Sequence, residues 1–152
     1  LEGINCHLRI IGKLSETQLK KLAECNINYS SVSNIFNEQM VQEYRDCDML
    51  IFASTYEGFG LPIIEAQATG RPVITSKIYS MPEVAGDGAC LVNPYDVQDI
   101  RKAIQLVIKD SDYRKKIVEQ GGRNVKRFHP QNIAEEYVKI YRQLFSNIQE
   151  NP

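Results

Sequence analysis

The sequence predicts an α/β fold in which a parallel sheet is covered by helices on both faces. Apolar runs of strand length alternate along the chain with segments whose apolar residues recur at helical spacing, and that alternation is typical of a buried parallel sheet. A buried strand at residues 48–54 also leads through a glycine-rich turn into a helix. With 152 residues the chain has the length of one domain, and we expect residues 1–152 to form a single one.

The elements follow one another without internal repeats. Strands are predicted at residues 7–12, 27–32, 48–54, 72–76 and 89–92. Helices are predicted at residues 17–25, 37–47, 63–69 and 82–85, then from 97, from 111, and over 131–146. Ser15, Asn37 and Asp96 suit helix N-caps, Gly70 ends the helix at 63–69, and the glycine pair at 121–122 is expected to loosen its helix.

Composition narrows the class of protein. Hydrophobic residues make up 43% of the chain, charged residues 24%, and the net charge is -1. No broad basic field favours nucleic acid or an anionic membrane, so nucleic acid is not an expected partner. The four cysteines show no C-x-x-C spacing and the two histidines are far apart, which favours reduced cysteines in a cytoplasmic protein without a metal site.

The ends of the chain lead to a further expectation. No signal peptide or membrane span is visible in the sequence. The chain begins with Leu1 rather than Met, and its first residues look like the end of a helix or loop. We therefore expect an excised fragment of a longer protein.

The most informative stretch is EGFGLPIIE at residues 57–65. It places two carboxylates, Glu57 and Glu65, on either side of a turn that opens a helix. Pro62 suits the first helical position, because its missing N–H would be unpaired there, and Glu65 is expected in the first turn. Glycines allow a close backbone approach, so free amides at this helix N-terminus form a site for an anion such as a phosphate.

Two interpretations of this turn remain open. One acid on each side of a phosphate cradle suits a ligand with hydroxyls on both sides of its phosphates, which is the form of a sugar nucleotide. Alternatively, the turn is a ligand-free strand-to-helix connection whose acid only complements the helix dipole. The dinucleotide fingerprint G-x-G-x-x-G fits poorly, because Ile63 stands where its third glycine should be.

An ordered set of motifs extends beyond this turn. These are YRDCD at 44–48, FAS at 52–54, EGFGLP at 57–62, EA at 65–66, GRPVI at 70–74, PEVAGDGA at 82–89 and LVNP at 91–94. In these residues the chain resembles the C-terminal, donor-nucleotide domain of retaining glycosyltransferases with the GT-B fold, in Glycosyltransferase family 4 (glycosyl transferases group 1). The resemblance covers at least residues 44–110, and it implies a Rossmann-like parallel sheet.

The resemblance also implies roles for matching residues. Glu65 would hold the ribose hydroxyls of the donor nucleotide, and Glu57 would be the catalytic-site acid that contacts the donor sugar and positions it for reaction. Backbone N–H groups would be offered to the sugar and diphosphate by four consecutive residues: Gly58, Phe59, Gly60 and Leu61. The donor is a nucleoside-diphosphate sugar, and neither a cofactor nor a metal is implied. No Asp-x-Asp pair or histidine cluster appears in the sequence.

On this resemblance the parent enzyme would transfer a hexosyl group to an acceptor hydroxyl with retention of configuration, in the biosynthesis of a polysaccharide or another glycoconjugate. The acceptor, a glycan or lipid-linked saccharide, would bind an N-terminal domain that this chain lacks. The fragment alone is expected to be inactive. The parent is expected in the cytoplasm, or peripherally at the inner membrane face. A nucleotide-sugar epimerase of the same two-domain fold, or a non-enzymatic α/β binding module, are the alternatives.

The family's domain opens with a strand, a glycine-rich turn and a helix that supply an Arg and a Lys for the diphosphate, and this chain starts where that helix should end. The missing strand would lie between the strands at 7–12 and 48–54. Because unpaired strand edges in an apolar setting are costly, two outcomes are expected. Either these strands pair directly, or a second copy fills the slot and gives a homodimer.

Overall fold

The chain forms two compact units, Leu1–Asp48 and Met49–Pro152. The structure is a computed structural model that describes residues 1–150, and the side chains of residues 1–146. Each unit has its own parallel sheet, with the order β1-β2 in the first and β3-β4-β5 in the second. The predicted α/β class with parallel strands is confirmed, whereas a single domain over 1–152 stays a prediction.

The first unit is a strand–helix–strand–helix segment: β1 (Leu8–Ile11), α1 (Glu16–Glu24), β2 (Tyr29–Val32) and α2 (Asn37–Asp46). The strands β1 and β2 are parallel, and α1 supplies the crossover that parallel strands require. The predicted N-cap of α1 is confirmed. The Ser15 hydroxyl accepts from the Gln18 amide at 3.3 Å, while the Gln18 side chain accepts from the Ser15 amide at 2.9 Å, which is a capping box.

The start of α2 differs from the prediction by one residue. Asn37 is the first helical residue, and the N-cap is Phe36. The Phe36 amide donates to Gln39 Oε1 at 3.0 Å. A phenyl ring has no acceptor to return that bond, so only half of a capping box forms. The prediction of Asn37 as the N-cap is therefore wrong, because Asn37 is already helical and the Gln39 side chain accepts from the amide of the preceding residue, Phe36.

An ion pair joins β1 to α2. Arg9 Nε donates to Glu43 Oε2 at 2.8 Å, and Arg9 Nη2 donates to Glu43 Oε1 at 2.6 Å. Two parallel bonds of this kind fix both side chains in one geometry. The hydrogen bonds from Arg9 hold the pKa of Glu43 below its ordinary value. The charged form of Glu43 therefore stabilises the folded first unit.

This pair predicts how the stability of the first unit depends on pH. A carboxyl whose pKa is lower in the folded state contributes stability above its unfolded pKa, about 4.3 for Glu, and loses it as the pH falls through the folded value. We expect Glu43→Gln to have a lower urea midpoint than the wild type at pH 7, with a difference that shrinks steadily below about pH 4.3. Urea titrations from pH 7 to pH 3 test this, and a difference that does not change with pH would contradict it.

The second unit begins at Met49, and its elements are β3 (Leu50–Phe52), α3 (Leu61–Ala68), β4 (Val73–Ser76), α4 (Met81–Ala85), β5 (Ala89–Val92), α5 (Val97–Lys109), α6 (Ser111–Asn124), a 3-10 helix (Val125–Phe128) and α7 (Pro130–Glu150). The central strand β4 is buried at every residue. Its two hydroxyl groups are satisfied by neighbouring carbonyls: Thr75 donates to Phe52 at 2.9 Å and Ser76 to Ser54 at 2.5 Å. A continuous buried strand is what a sheet covered on both faces requires.

The strands β1 and β3 take their partners from their own units. Within the first unit β1 pairs with β2, and within the second unit β3 pairs with β4. Direct pairing of the predicted strands at 7–12 and 48–54 would join the two units, and it stays a prediction. The alternative, in which a second copy pairs with these strands, stays a prediction.

A buried polar network joins α3, α4 and α6. Gln67 Nε2 donates to the carbonyl oxygens of Ala85 at 2.9 Å and Gly88 at 3.2 Å. Asn124 Nδ2 donates to Gln67 Oε1 at 2.9 Å and to the Val84 carbonyl at 2.7 Å. Buried amide groups of this kind need such partners. The network therefore holds α3 against the segments that follow β4 and against α6.

The predicted loosening of α6 at its glycine pair is wrong, because the helix runs through both residues to Asn124. The two glycines have different surroundings. A Cβ on Gly121 would lie 2.9 Å from Gln67 Cγ, whereas a Cβ on Gly122 would meet nothing within 4 Å. Gly121 is also approached from β5's side of the network, since a Cβ on Gly88 would lie 2.4 Å from Gly121 Cα. Gly121 therefore lets α6 approach the buried network closely, which compensates for its low helix propensity.

These adjacent glycines give a matched pair of substitutions. We expect Gly121→Ala to destabilise the protein by about 1–3 kcal/mol, since the new methyl group overpacks the buried Gln67. Gly122→Ala removes a helix-interior glycine in open space and should stabilise by about 0.5–1 kcal/mol. Urea denaturation at 25 °C measures both. Equal effects of the two substitutions would show that the close approach at Gly121 does not constrain α6.

Candidate functional site

The glycine-rich turn between β3 and α3 depends on Gly60. This residue is the N-cap of α3 and has a left-handed backbone with φ of 106°. It is buried, and a Cβ there would lie 3.0 Å from Ile63 Cδ1. A residue with a side chain would therefore suffer both backbone strain and crowding. Only glycine fits where the loop enters the helix.

The helix that follows begins at Leu61, two residues before the predicted start at residue 63 and one before Pro62. Its first residue is Leu61, so Pro62 occupies the second helical position and the prediction of the first position is wrong. The proline still removes no hydrogen bond, because the N–H groups of the first helical residues have no partner within the helix. At its other end the helix stops as predicted, since Gly70 has φ of 70° and its amide donates to the Gln67 carbonyl at 3.1 Å.

The turn presents a row of unused amide groups. Within the described residues, no acceptor takes a hydrogen bond from the backbone N–H of Gly58, Phe59, Gly60 or Leu61. Gly58 and Phe59 are exposed, whereas Gly60 is buried, and a buried amide without a partner is costly. Because these N–H groups lie at the positive end of α3, an anion bound there would satisfy them and interact favourably with the helix dipole.

The two predicted acids lie on opposite sides of these amides in the sequence. Glu57 precedes them on the loop and is half-buried, whereas Glu65 is exposed on α3. Glu65 is the fifth residue of the helix, about 6 Å along its axis from Leu61, so its predicted place in the first turn is wrong. The dipole effect fades within one turn. Complementing the dipole therefore does not account for an acid at Glu65.

The side chain of Phe59 anchors the turn. Its ring meets Phe128 of the 3-10 helix edge to face, with ring centroids 5.6 Å apart. The guanidinium of Arg127 lies 5.2 Å from the centroid of the Phe128 ring. The ring of Phe59 therefore packs against the C-terminal part of the unit. The predicted role of Phe59 in the site concerns its backbone N–H and not its ring.

A second segment, residues 79–80, holds the turn from the other side. The Ser80 hydroxyl lies 2.9 Å from the Glu57 carbonyl oxygen and 3.1 Å from that of Phe59. Tyr79 has a left-handed backbone with φ of 55°, and its ring contacts Tyr56 with centroids 5.3 Å apart. Neither Tyr79 nor Ser80 is among the site residues predicted from the sequence. The available signal was topological, because loops that follow adjacent parallel strands meet at one edge of the sheet.

Other features of the chain do not add to this site. In the part of the chain that the structure describes, no group of three or more His, Cys, Asp or Glu side chains could hold a metal ion. A surface depression of about 740 Å³ lined by residues 35–39 belongs to the first unit and contains none of the predicted site residues. No helix within the described range is long and apolar enough to cross a membrane.

Curated relatives of known activity resemble most of the chain. The O-antigen chain mannosyltransferase B of Escherichia coli is 33% identical over 108 residues, which cover 71% of this chain and 28% of that protein. The MMP alpha-(1->4)-mannosyltransferase of Mycolicibacterium hassiacum is 28% identical over 150 residues, which cover 93% of this chain and 36% of that protein. The chain thus spans about a third of the length of these relatives.

Solved structures and a family model give the same classification. Sucrose-phosphate synthase from Thermosynechococcus elongatus matches with a TM-score of 0.76 and 27% identity over 92% of this chain and 39% of that one. Anabaena HepE, in complex with UDP and glucose, shares the fold with a TM-score of 0.77 and 20% identity over 89% of this chain and 40% of that one. The fold is thus the Rossmann-like α/β fold of GT-B glycosyltransferases. The family model described as Glycosyl transferases group 1 matches residues 1–124, and the chain belongs to this glycosyltransferase family.

Proposed function

We propose that this chain is the donor-binding part of a longer glycosyltransferase of family 4. That enzyme transfers a hexosyl group from a nucleoside-diphosphate sugar to an acceptor hydroxyl, with retention of configuration. The observation that carries the proposal is the turn at residues 58–61, whose amides have no acceptor among the described residues. Carboxylates stand on both sides of this turn in the sequence, at Glu57 and Glu65.

The proposed roles follow from the chemistry of these groups. The diphosphate lies against the amides of residues 58–61. Negative charge grows on the leaving phosphate as the glycosidic bond breaks, and N–H groups already fixed in place lower the barrier. The Glu65 carboxylate accepts hydrogen bonds from the two ribose hydroxyls, which a charged group with two oxygens does well. Glu57 contacts the donor sugar and positions it at the reacting face.

The named relatives support this donor class. The E. coli and Mycolicibacterium relatives are mannosyltransferases, and the Anabaena structure holds a nucleoside diphosphate together with a hexose. These relatives are sugar transferases, so they favour a transferase over a nucleotide-sugar epimerase or a non-enzymatic binding module. Transfer of a sugar is therefore the function that we propose, with a polysaccharide or another glycoconjugate as the product.

Several parts of the proposal concern the longer protein. The acceptor, a glycan or lipid-linked saccharide, binds a domain outside this chain, so the 152-residue chain alone is inactive. The longer enzyme works in the cytoplasm, or peripherally at the inner face of the membrane that carries its acceptor.

The isolated chain forms a homodimer through its open strand edges. Light scattering at high concentration measures this state, and a monomer would contradict it.

A ligand screen tests the proposal. In saturation-transfer NMR on the full-length protein, nucleotide sugars that differ in base and sugar are compared with the corresponding free sugars. We expect one nucleoside-diphosphate sugar to give a clear signal, and its free sugar to give none. The absence of a signal from every nucleotide sugar would contradict the proposed function.

A further inference from the structure

Ser80 occupies the N-cap position of α4, yet its side chain does not cap that helix. The sequence from Ser80 to Glu83 has the S-x-x-E spacing of a capping box. The Ser80 backbone is nevertheless helical, with φ of -71° and ψ of -20°, and its hydroxyl makes no capping bond. An N-cap usually has extended backbone angles that allow the side chain to reach the helix amides. The Ser80 hydroxyl is instead directed at the glycine-rich turn.

The contacts of Ser80 fix the direction of two peptide groups. Its hydroxyl lies within hydrogen-bond distance of the Glu57 and Phe59 carbonyl oxygens, at 2.9 and 3.1 Å, and shares its one proton between them in a three-centre hydrogen bond. The peptide bonds here are trans, so each carbonyl points opposite to the N–H of the next residue. Drawing both carbonyls toward Ser80 therefore turns the N–H groups of Gly58 and Gly60 away from it. These are two of the amides that have no acceptor among the described residues.

The position of Ser80 is itself fixed on both sides. Its carbonyl accepts from the Val84 amide at 2.9 Å, which ties it to α4. The preceding residue, Tyr79, is a non-glycine residue with φ of 55°, a conformation that costs free energy and that clusters at functional sites. The ring of Tyr79 contacts Tyr56, just before the turn. The two segments are thus joined at the aromatic pair and at the Ser80 hydroxyl.

We propose that Ser80 is a positioning residue, whose hydroxyl holds the Glu57 and Phe59 carbonyls so that the amides of Gly58 and Gly60 face the diphosphate of the donor. This role deepens the proposed function and rests on it for the identity of the ligand. The orientation of the amides, by contrast, is a property of the unliganded protein. The two statements therefore have separate tests.

The first test measures the turn without ligand in the ¹⁵N-labelled chain. In Ser80→Ala we expect the backbone order parameters of Gly58 and Gly60 to fall, while Ser80→Thr keeps them near the wild-type values. Thr75→Val is the matched control, because the Thr75 hydroxyl also donates to a backbone carbonyl at 2.9 Å, and that carbonyl belongs to Phe52 of β3 instead of the turn. Ser80→Cys keeps the size of serine with a weaker donor, and replaces Ser80→Ala if that variant does not fold. Unchanged order parameters at Gly58 and Gly60 in Ser80→Ala would overturn the proposal, whatever the binding measurements show.

The second test compares a nucleoside diphosphate with the nucleoside that lacks its phosphates, by calorimetry on the full-length protein. Ser80→Ala should bind the diphosphate about five- to tenfold more weakly, and should bind the nucleoside as the wild type does. Thr75→Val and Ser80→Thr should match the wild type for both ligands. Equal weakening for both ligands would indicate a general structural role and overturn the proposal. If the wild type binds no nucleoside diphosphate, the proposed function fails, and the order parameters alone decide the role of Ser80.

Discussion

Glu57→Gln is expected to lower the turnover of the full-length enzyme by about 100-fold, the cost of a small misplacement at a reacting centre, while the affinity for the free nucleoside diphosphate stays nearly unchanged. Glu57 lies on the loop before the amides. In the proposed function it contacts the donor sugar, which the free nucleotide lacks. The Gln side chain keeps the shape of Glu and loses its charge. Steady-state kinetics and calorimetry on the same preparation measure the two quantities.

The control for this substitution is Glu119→Gln. Glu119 is an exposed residue of α6 that pairs with Arg123 on the helix surface, so the same chemical change there should leave turnover intact. A Glu57→Gln enzyme that turns over at the wild-type rate would exclude Glu57 from the reaction. A loss of turnover accompanied by an equal loss of nucleotide affinity would place Glu57 on the nucleotide instead of the sugar.

Glu65→Ala is expected to weaken donor binding in the full-length enzyme more than it alters the chemical step. Hydrogen bonds to a charged group are worth about 1.5–3 kcal/mol, which corresponds to roughly 10- to 150-fold in the dissociation constant. The loss should appear equally for the nucleotide sugar and for the free nucleoside diphosphate, because both carry the ribose. Calorimetry with the two ligands measures it.

A deoxyribose analogue provides the control for Glu65. If the carboxylate binds the ribose hydroxyls, the wild type should discriminate against a nucleoside diphosphate that lacks one of them, and Glu65→Ala should lose that discrimination. Glu119→Ala, an acid removed from the helix surface of the same unit, should bind both ligands as the wild type does. An unchanged dissociation constant in Glu65→Ala would rule out the ribose role.

Much of the second unit could be predicted from the sequence because its local signals agree. The last strand, Ala89–Val92, matches its predicted bounds, and Asp96 caps α5 by accepting from the amides of Gln98 and Asp99. The Gly-rich turn was found because glycine and proline have strong backbone preferences of their own. The turn's position between strand and helix is therefore encoded in the residues that form it.

What the sequence did not reveal depends on contacts between distant segments. The glycine pair of α6 has low helix propensity, and only the approach of Gly121 to Gln67 explains why the helix continues. Ser80 has the spacing of a capping residue, and its hydroxyl is directed elsewhere by contacts with a loop more than twenty residues away. Local propensity cannot reveal either feature, because each is decided by tertiary packing.

In the proposed function, the amides of residues 58–61 bind the diphosphate of a nucleotide donor. Titrating the ¹⁵N-labelled chain with a nucleoside diphosphate, and following every backbone amide, tests it most directly. We expect the largest chemical-shift changes at Gly58, Phe59, Gly60 and Leu61, and we expect the nucleoside without phosphates to leave these four signals in place. Saturable binding that shifts other amides and leaves these four unchanged would contradict it.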